Sequence, residues 1–240
     1  MRIALIGNSH LGALKGGWES PGFDKGGIEA VFFGAPGNGL GDMVVREGAL
    51  FASTDESRRY MSTTSGGLDR VAANYDGYVL VGYFGIGFVA DVFVGHRPPD
   101  HVNANQAPAS RAALRAAARD ALVHTPALHL LRQLRKLTQA PVVLVSDPMP
   151  NPRIRDTDKF GRWGADILPL VAESYAEALR TLAETSGAKV ITQPDGTVLA
   201  PAFTEPRYAL DHAEHGLRHM TPEYGALVMQ DVVAAFKEGP

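Results

Sequence analysis

The 240-residue sequence predicts an α/β fold in which helices cover both faces of a mostly parallel, five-stranded sheet. Short β-branched and apolar runs alternate with amphipathic helical segments, which is the pattern of strand–helix–strand units. A composition of 45% hydrophobic and 20% charged residues is typical of a globular protein with a substantial core. Since neither an internal repeat nor a domain boundary is evident, we expect a single three-layer domain over positions 1–240.

Five short runs carry the strand pattern. Each is apolar and is followed by Gly or by a polar turn. They lie at positions 2–7, 28–34, 78–82, 141–146 and 189–192. Ligands on such sheets bind beyond the carboxyl ends of the strands, so the loops after the first four strands should converge with the loop before the last helix.

The helical segments are predicted at positions 9–18, 110–137, 166–185 and 222–237. The pairs Thr125-Pro126 and Thr221-Pro222 suit an N-cap followed by the first helical residue, so the second segment should divide into two helices and the last helix should begin at Pro222. Gly187 should end the third segment. The stretches 35–76 and 82–108 are rich in Gly and irregular, and are predicted as long functional loops.

Charge and composition exclude several classes of function. With a net charge of -3, a pI near 6.2 and no dense Lys/Arg tract, we expect no nucleic-acid partner. The lack of cysteine excludes disulfides, thiolate metal sites and a cysteine nucleophile. The apolar N-terminus is too short for a signal peptide, and several glycines and Asp91 interrupt the apolar stretch 78–94. We therefore expect no membrane span and a cytoplasmic protein.

Ser9 occupies the turn Gly7-Asn8-Ser9-His10, between the first strand and the first helix. A serine at such a junction exposes its hydroxyl and shares the unpaired N–H groups of the helix, which favour negative charge. The same position suits a plain N-cap. The turn alone therefore leaves a cap and a nucleophile open.

Candidate partners for a serine nucleophile lie just before the last helix. A serine hydroxyl needs a base, and an imidazole base gains from a carboxylate that fixes its tautomer. The segment 211–225 offers both, with Asp211, Glu214 and His219.

These residues resemble the SGNH (GDSL-like) hydrolases. Gly7-Asn8-Ser9 is similar to the family's G-D-S block, and the segment 219–225 is similar to its H-x-N-x-x-(Y)-G block. The strings I-G-N-S-H, F-F-G-A-P-G, Y-D-x-Y-V-L-V-G and S-D-P-M-P are similar to a bacterial branch of SGNH-like proteins. The resemblance runs from end to end and implies a flavodoxin-like sheet, acyl-transfer chemistry, Ser9 as the nucleophile and His219 as the base.

The resemblance also implies an orienting acid and an oxyanion hole. The position three before His219 is Gly216 instead of Asp, so Asp211 is the preferred acid and Glu214 the alternative. The oxyanion donors are expected to be the N–H groups of Ser9 and Gly37. The stretch 82–85, Gly-Tyr-Phe-Gly, lacks the family's third-block Asn. Either Asn38 supplies the third donor, or the hole has only backbone donors; one missing donor costs about 3 kcal/mol in other hydrolases.

The function expected from these residues is serine-dependent hydrolysis of a small-molecule or glycan acyl ester, of the esterase or carbohydrate deacetylase type, with no cofactor. One alternative is an O-acyltransferase. Another is a weak or inactive glycan- or acyl-binding protein whose pocket is lined by aromatic side chains, with candidates Tyr83, Phe84, Phe88, Trp163 and Tyr208. The oligomeric state stays open.

Four further residues have weaker alternatives. His212 and His215, together with His219 and the nearby carboxylates, suit a divalent metal, but Gly216 interrupts the helical spacing that such a site needs, and no metal is expected. His10 is expected to cap the helix or to line the pocket. Asp147 suits a turn before Pro148 or a pocket acid, and is left out of the triad.

Overall fold

The computed structural model describes residues 1–102, 105–157, 164–210 and 216–238. This part of the chain forms β1 (Arg2–Gly7), β2 (Glu29–Gly34), β3 (Val44–Arg46), β4 (Ala49–Phe51), β5 (Val71–Ala72), β6 (Gly77–Val81), β7 (His96–Arg97), β8 (Ala107–Pro108), β9 (Val142–Val145), β10 (Lys189–Ile191), β11 (Val198–Leu199) and β12 (Phe203–Thr204). Its α-helices are α1 (Leu11–Trp18), α2 (Asp55–Ser65), α3 (Ile86–Gly95), α4 (Arg111–Val123), α5 (Pro126–Arg135), α6 (Leu168–Thr185) and α7 (Pro222–Lys237).

The central sheet has five parallel strands in the spatial order β2-β1-β6-β9-β10. The strand order reverses at β1, which makes the edge beside β1 and β6 the place where a ligand is expected. Gly7 pairs with Gly34 on one side and with Val81 on the other, and Val81 pairs with Val145. These four strands therefore end in register, and the loops that follow them leave the sheet at one edge.

The sheet is covered on both faces, so its strands are apolar throughout. Ile3 and Leu5 of β1 point toward α1 and α7, whereas Ala4 and Ile6 point toward the layer to which α2 through α6 contribute. The predicted α/β class, the mostly parallel five-stranded sheet and the helices on both faces are confirmed. Within the described residues, no helix combines the length and the apolar character that a membrane crossing needs.

Helices α1 and α7 cross at unusually close range. A Cβ added to Gly17 would overlap the backbone of Ala226, and one added to Gly225 would overlap the carbonyl of Ala13. Only glycine permits such contact between two helix backbones. The crossing places the start of α7 against α1, since a Cβ on Gly16 would lie 3.2 Å from the Pro222 ring.

The prediction of a long loop at positions 35–76 is wrong in part. The segment contains α2 and the small antiparallel sheet β3-β4-β5. Helix α2 is polar and buries only Ser57 and Met61, so it lacks the apolar stripe by which helices are usually found. Its capping signals are present: Thr54 accepts a hydrogen bond from the N–H of Ser57, and Gly66 ends the helix in the left-handed conformation.

The prediction of an irregular segment at positions 82–108 is also wrong in part, because this segment contains α3. Nearly every residue of this helix is apolar or Gly, which obscures a helical pattern in the sequence. The buried positions Ile86, Val89, Ala90 and Phe93 nevertheless follow helical spacing, and the helix packs against α4 and α6.

The remaining helices were predicted closely. The segment 110–137 divides at Thr125-Pro126 into α4 and α5. Helix α7 begins at Pro222, and the Thr221 side chain accepts a hydrogen bond from the N–H of Tyr224.

Candidate active site

A cavity of about 880 Å³ opens at the carboxyl edge of the sheet. Its walls come from the loops after β1, β2, β6 and β9 and from the segment before α7, which are the loops that the fold was expected to bring together. This volume lies within the range of small-molecule sites. Ser9, Gly37, Asn38 and His219, the predicted site residues within the described chain, all line it.

Ser9 and His219 meet in this cavity. The Nε2 atom of His219 lies 2.9 Å from the Oγ atom of Ser9, and the Ser9 side chain is exposed. His10, one residue later, occupies the N-cap position of α1 and makes no side-chain cap hydrogen bond. The plain N-cap alternative requires the Ser9 hydroxyl to cap the helix. In the described structure the hydroxyl contacts an imidazole instead.

The turn that carries Ser9 is held by the side chain of Asn8. Asn8 Oδ1 accepts a hydrogen bond from the N–H of His10 at 3.0 Å, and Asn8 Nδ2 donates to Asp147 Oδ1 at 3.3 Å. An aspartate at position 8 would supply the acceptor but not the donor, and would place its charge beside another carboxylate. Asparagine at position 8 thus has a local physical reason.

Asp147 joins three loops at the base of the cavity. Its Oδ1 atom accepts hydrogen bonds from Asn8 Nδ2 and from the N–H of Tyr83, at 3.3 and 3.2 Å, and lies 3.3 Å from Nε2 of His10. Tyr83 has a φ of 70°, a left-handed conformation that is costly for a residue with a side chain. Sequence reasoning considered Asp147 only as a turn former or a pocket acid. Its position directly after the fourth strand was the sequence signal that could have placed it at the site.

His10 is nearly enclosed, with 12% of its side chain exposed. Burial lowers its pKa, the nearby Asp147 carboxylate opposes this shift, and His219 and Arg218 add to it. His10 lines the cavity, which is one of the two alternatives that the sequence left open for it. Its ring centre lies 5.8 Å from that of His219, so a neutral His10 adds no positive charge beside the candidate base.

Besides Ser9, the candidate oxyanion residues Gly37 and Asn38 follow β2 and line the same cavity. Gly37 is exposed and has a φ of 54°, which glycine adopts without strain. Among the described residues, no hydrogen bond engages the backbone N–H of Ser9 or that of Gly37. The Asn38 side chain folds over Gly41, where an added Cβ would overlap its Oδ1 atom. The N–H of Tyr83 is bound to Asp147 and is not available as a third donor.

The expected acids, Asp211 and Glu214, lie outside the described residues, as do His212 and His215 of the alternative metal site. The described residues that precede position 211 pair with those that precede α7. Ala209 forms an antiparallel bridge with Met220, and the N–H of Leu210 donates to the carbonyl of His219 at 2.9 Å. Asp211 is the residue that follows Leu210 in the sequence.

The aromatic residues considered for a binding pocket separate into different environments. Tyr83 and Phe88 line the cavity, and Phe88 is 39% exposed. Phe84 is buried in the core, and Tyr208 packs beside α7. Trp163 lies outside the described residues. No cluster of three or more metal-ligating side chains occurs within the described ranges.

Comparisons with known proteins give distant structural likenesses only. No protein-family model and no curated protein matches the chain. One similar solved structure is the periplasmic domain of a lipopolysaccharide acetyltransferase from Salmonella ser. Paratyphi A, with 11% identity, a TM-score of 0.47, and coverage of 98% of this chain and 83% of that chain. Another is a family two carbohydrate esterase from Clostridium thermocellum in complex with cellohexaose, with 14% identity, a TM-score of 0.39, and coverage of 99% and 63%. Because identity and TM-score are low, neither likeness carries an activity or a substrate over to this chain.

Proposed function

We propose that this protein is a serine-dependent acyl-ester hydrolase of the SGNH type, with Ser9 as the nucleophile and His219 as the base. The observation that carries the proposal is the distance of 2.9 Å between Ser9 Oγ and His219 Nε2 at an open cavity. A serine and an imidazole within hydrogen-bond reach are the minimal arrangement for activating a hydroxyl.

In the proposed reaction, Ser9 Oγ attacks the ester carbonyl while its proton passes to Nε2 of His219. His219 returns this proton to the leaving alkoxide, which departs as an alcohol and leaves an acyl group on Ser9. Water, deprotonated by the same nitrogen, then attacks the acyl group, and the proton passes from Nε2 to Ser9 Oγ as the carboxylic acid is released. An acceptor alcohol in place of water would give acyl transfer by the same steps.

Oxyanion stabilisation is assigned to the N–H groups of Ser9 and Gly37, with Asn38 as the side-chain donor. The two N–H groups are free of partners within the described chain, and the N-terminal end of α1 adds a partial positive charge beside Ser9. Asp211 is proposed to orient His219. The pairing of Leu210 with His219 supports this choice over Glu214, because Asp211 follows Leu210 directly.

Labelling by a fluorophosphonate probe tests the nucleophile directly. We expect the wild-type protein to be labelled, Ser9→Ala to show no labelling, and His219→Ala to react much more slowly. Ser53→Ala is a matched control, since Ser53 is also exposed but its hydroxyl donates to the carbonyl of Asp42. A folded wild type that shows no labelling and no turnover of short-chain esters would contradict the proposal and favour a non-catalytic binding protein.

A further inference from the structure

We propose that Asp147 is a positioning residue for this site: it fixes the turn that carries Ser9 by binding Asn8, which precedes the serine, and the loop after β6. This inference rests on the proposed function for its kinetic consequences. Its structural part, the placement of Ser9 relative to His219, stands on geometry alone.

The contacts of Asp147 converge on one oxygen. Its Oδ1 atom accepts from Nδ2 of Asn8 and from the N–H of Tyr83, and lies 3.3 Å from Nε2 of His10. Asn8 directly precedes Ser9, so the carboxylate holds the serine turn through the Asn8 side chain, and the His10 ring lies beside the same oxygen. The ends of β1, β6 and β9 are thereby joined at the point where the strand order places the cavity.

The backbone around Asp147 is shaped to admit its side chain. A Cβ on Gly82 would lie 2.5 Å from Asp147 Oδ1, and a Cβ on Gly85 would lie 2.7 Å from Asp147 Cβ. Only 17% of the Asp147 side chain is exposed, so the carboxylate depends on these protein partners in place of water. The left-handed conformation of Tyr83 aims its N–H at the carboxylate, which offsets part of the cost of that conformation.

No hydrogen bond or ion pair joins Asp147 to Ser9 or His219 among the described residues, so its role is to position the serine turn. Misplacement of a reacting group by about 1 Å can cost about a hundredfold in rate. Loss of the carboxylate should therefore appear in kcat far more than in KM.

The direction of the Asn8–Asp147 hydrogen bond gives a sharp test. Asn8→Asp replaces the donor by a second carboxylate and should lower kcat by about tenfold or more, as should Asp147→Ala, each with a change in KM below about twofold. In the double variant N8D/D147N, one of the two facing carboxylates is removed, which relieves their charge repulsion, but an amide that donates to position 8 leaves the N–H of Tyr83 without its acceptor. We therefore expect kcat of the double variant to exceed that of N8D and to stay below that of wild type.

Asp76→Ala is the matched control. Asp76 Oδ2 accepts from the N–H of Arg2 at 2.6 Å and so also binds the backbone of β1, but at the opposite edge of the sheet. This variant should leave kcat unchanged. A double variant that is no more active than N8D, or an Asp147→Ala protein that is folded and keeps its kcat, would overturn the proposal.

A crystal structure of Asp147→Ala gives a readout that needs no activity. We expect the Ser9 Oγ and His219 Nε2 atoms to move beyond hydrogen-bond distance. An unchanged separation would overturn the positioning role even in an inactive protein. Failure of the proposed function would give a different result. The wild-type protein would then show no turnover and no labelling, but its Ser9–His219 distance would still depend on Asp147.

Discussion

Nε2 of His219 lies 2.9 Å from Oγ of Ser9, across 210 residues of sequence. The two side chains reach this distance because Ser9 lies in the turn between β1 and α1, and His219 lies in the segment that precedes α7. These two helices pack against each other through Gly17 and Gly225. The contact between two helices on one face of the sheet thus sets the geometry of the candidate site.

If Ser9 and His219 act as one unit, their substitutions should not add. Ser9→Ala and His219→Ala should each lower kcat for a short-chain ester by about ten-thousandfold or more, and the double variant should be no slower than either. Steady-state kinetics on the three folded variants checks this. A double variant slower by the product of the two single effects would show that the residues contribute independently.

The orienting carboxylate can be identified by two charge-removing variants. Asp211→Asn should lower kcat by about a thousandfold or more, because the amide no longer stabilises the imidazolium and favours the wrong tautomer. Glu214→Gln should change kcat by less than about threefold if Glu214 is only a neighbour. The reverse order of effects would move the assignment to Glu214.

Gly85→Ala should disturb Asp147 without changing it. The added methyl group would lie 2.7 Å from Asp147 Cβ and 2.8 Å from its Oδ2, so the carboxylate must shift. We expect a fall in kcat of about tenfold. Gly85 is the N-cap residue of α3, and Gly95 is the last residue of that helix. A Cβ added by Gly95→Ala meets no atom within 4 Å, so this variant should leave kcat unchanged. Equal kcat values for the two variants would contradict the tight packing around Asp147.

The close crossing of α1 and α7 predicts opposite effects at two glycines of one helix. Gly17→Ala should lower the free energy of unfolding by about 2 kcal/mol, because its Cβ would overlap the backbone of Ala226. Gly12→Ala meets no atom within 4 Å and should raise that free energy by up to about 1 kcal/mol through helix propensity. Urea unfolding of both variants measures the difference, and similar stabilities would argue against the close crossing.

Burial of His10 predicts a loss of stability in acid. Its pKa is lowered from the ordinary value of 6.5, so the folded state binds its proton less readily than the unfolded chain. The stability from the neutral imidazole is present above pH 6.5 and is lost as the pH falls from there toward the lowered pKa. Asp147, His219 and Arg218 are the charged or titratable groups that act on it.

We therefore expect His10→Asn to lose less stability than wild type between about pH 7 and about pH 5, when the free energy of unfolding is measured by urea titration. His124→Asn is a suitable control, since the side chain of His124 is 72% exposed. An identical pH dependence for wild type and His10→Asn would contradict a neutral, buried His10.

The fold was largely predictable because most of its elements carry local signals. The apolar runs of β1, β2, β6, β9 and β10 and the caps Thr125 and Thr221 depend on nearby residues only, and they fall where the structure has them. Helices α2 and α3 were missed for opposite reasons. Helix α2 has almost no apolar face, whereas nearly every residue of α3 is apolar or Gly, so its buried face does not stand out in the sequence.

The sequence by itself determined the α/β class, the strand ends that meet at one edge, and the choice of Ser9 and His219 as candidates for one site. The tertiary structure alone decided that their side chains lie within hydrogen-bond distance, and that Asn8, His10, Tyr83 and Asp147 form one cluster beneath the serine. The physical reason is that strand and turn patterns arise from neighbouring residues. The partner of a buried carboxylate is set by strand order and by the close approach of loops, which no local pattern encodes.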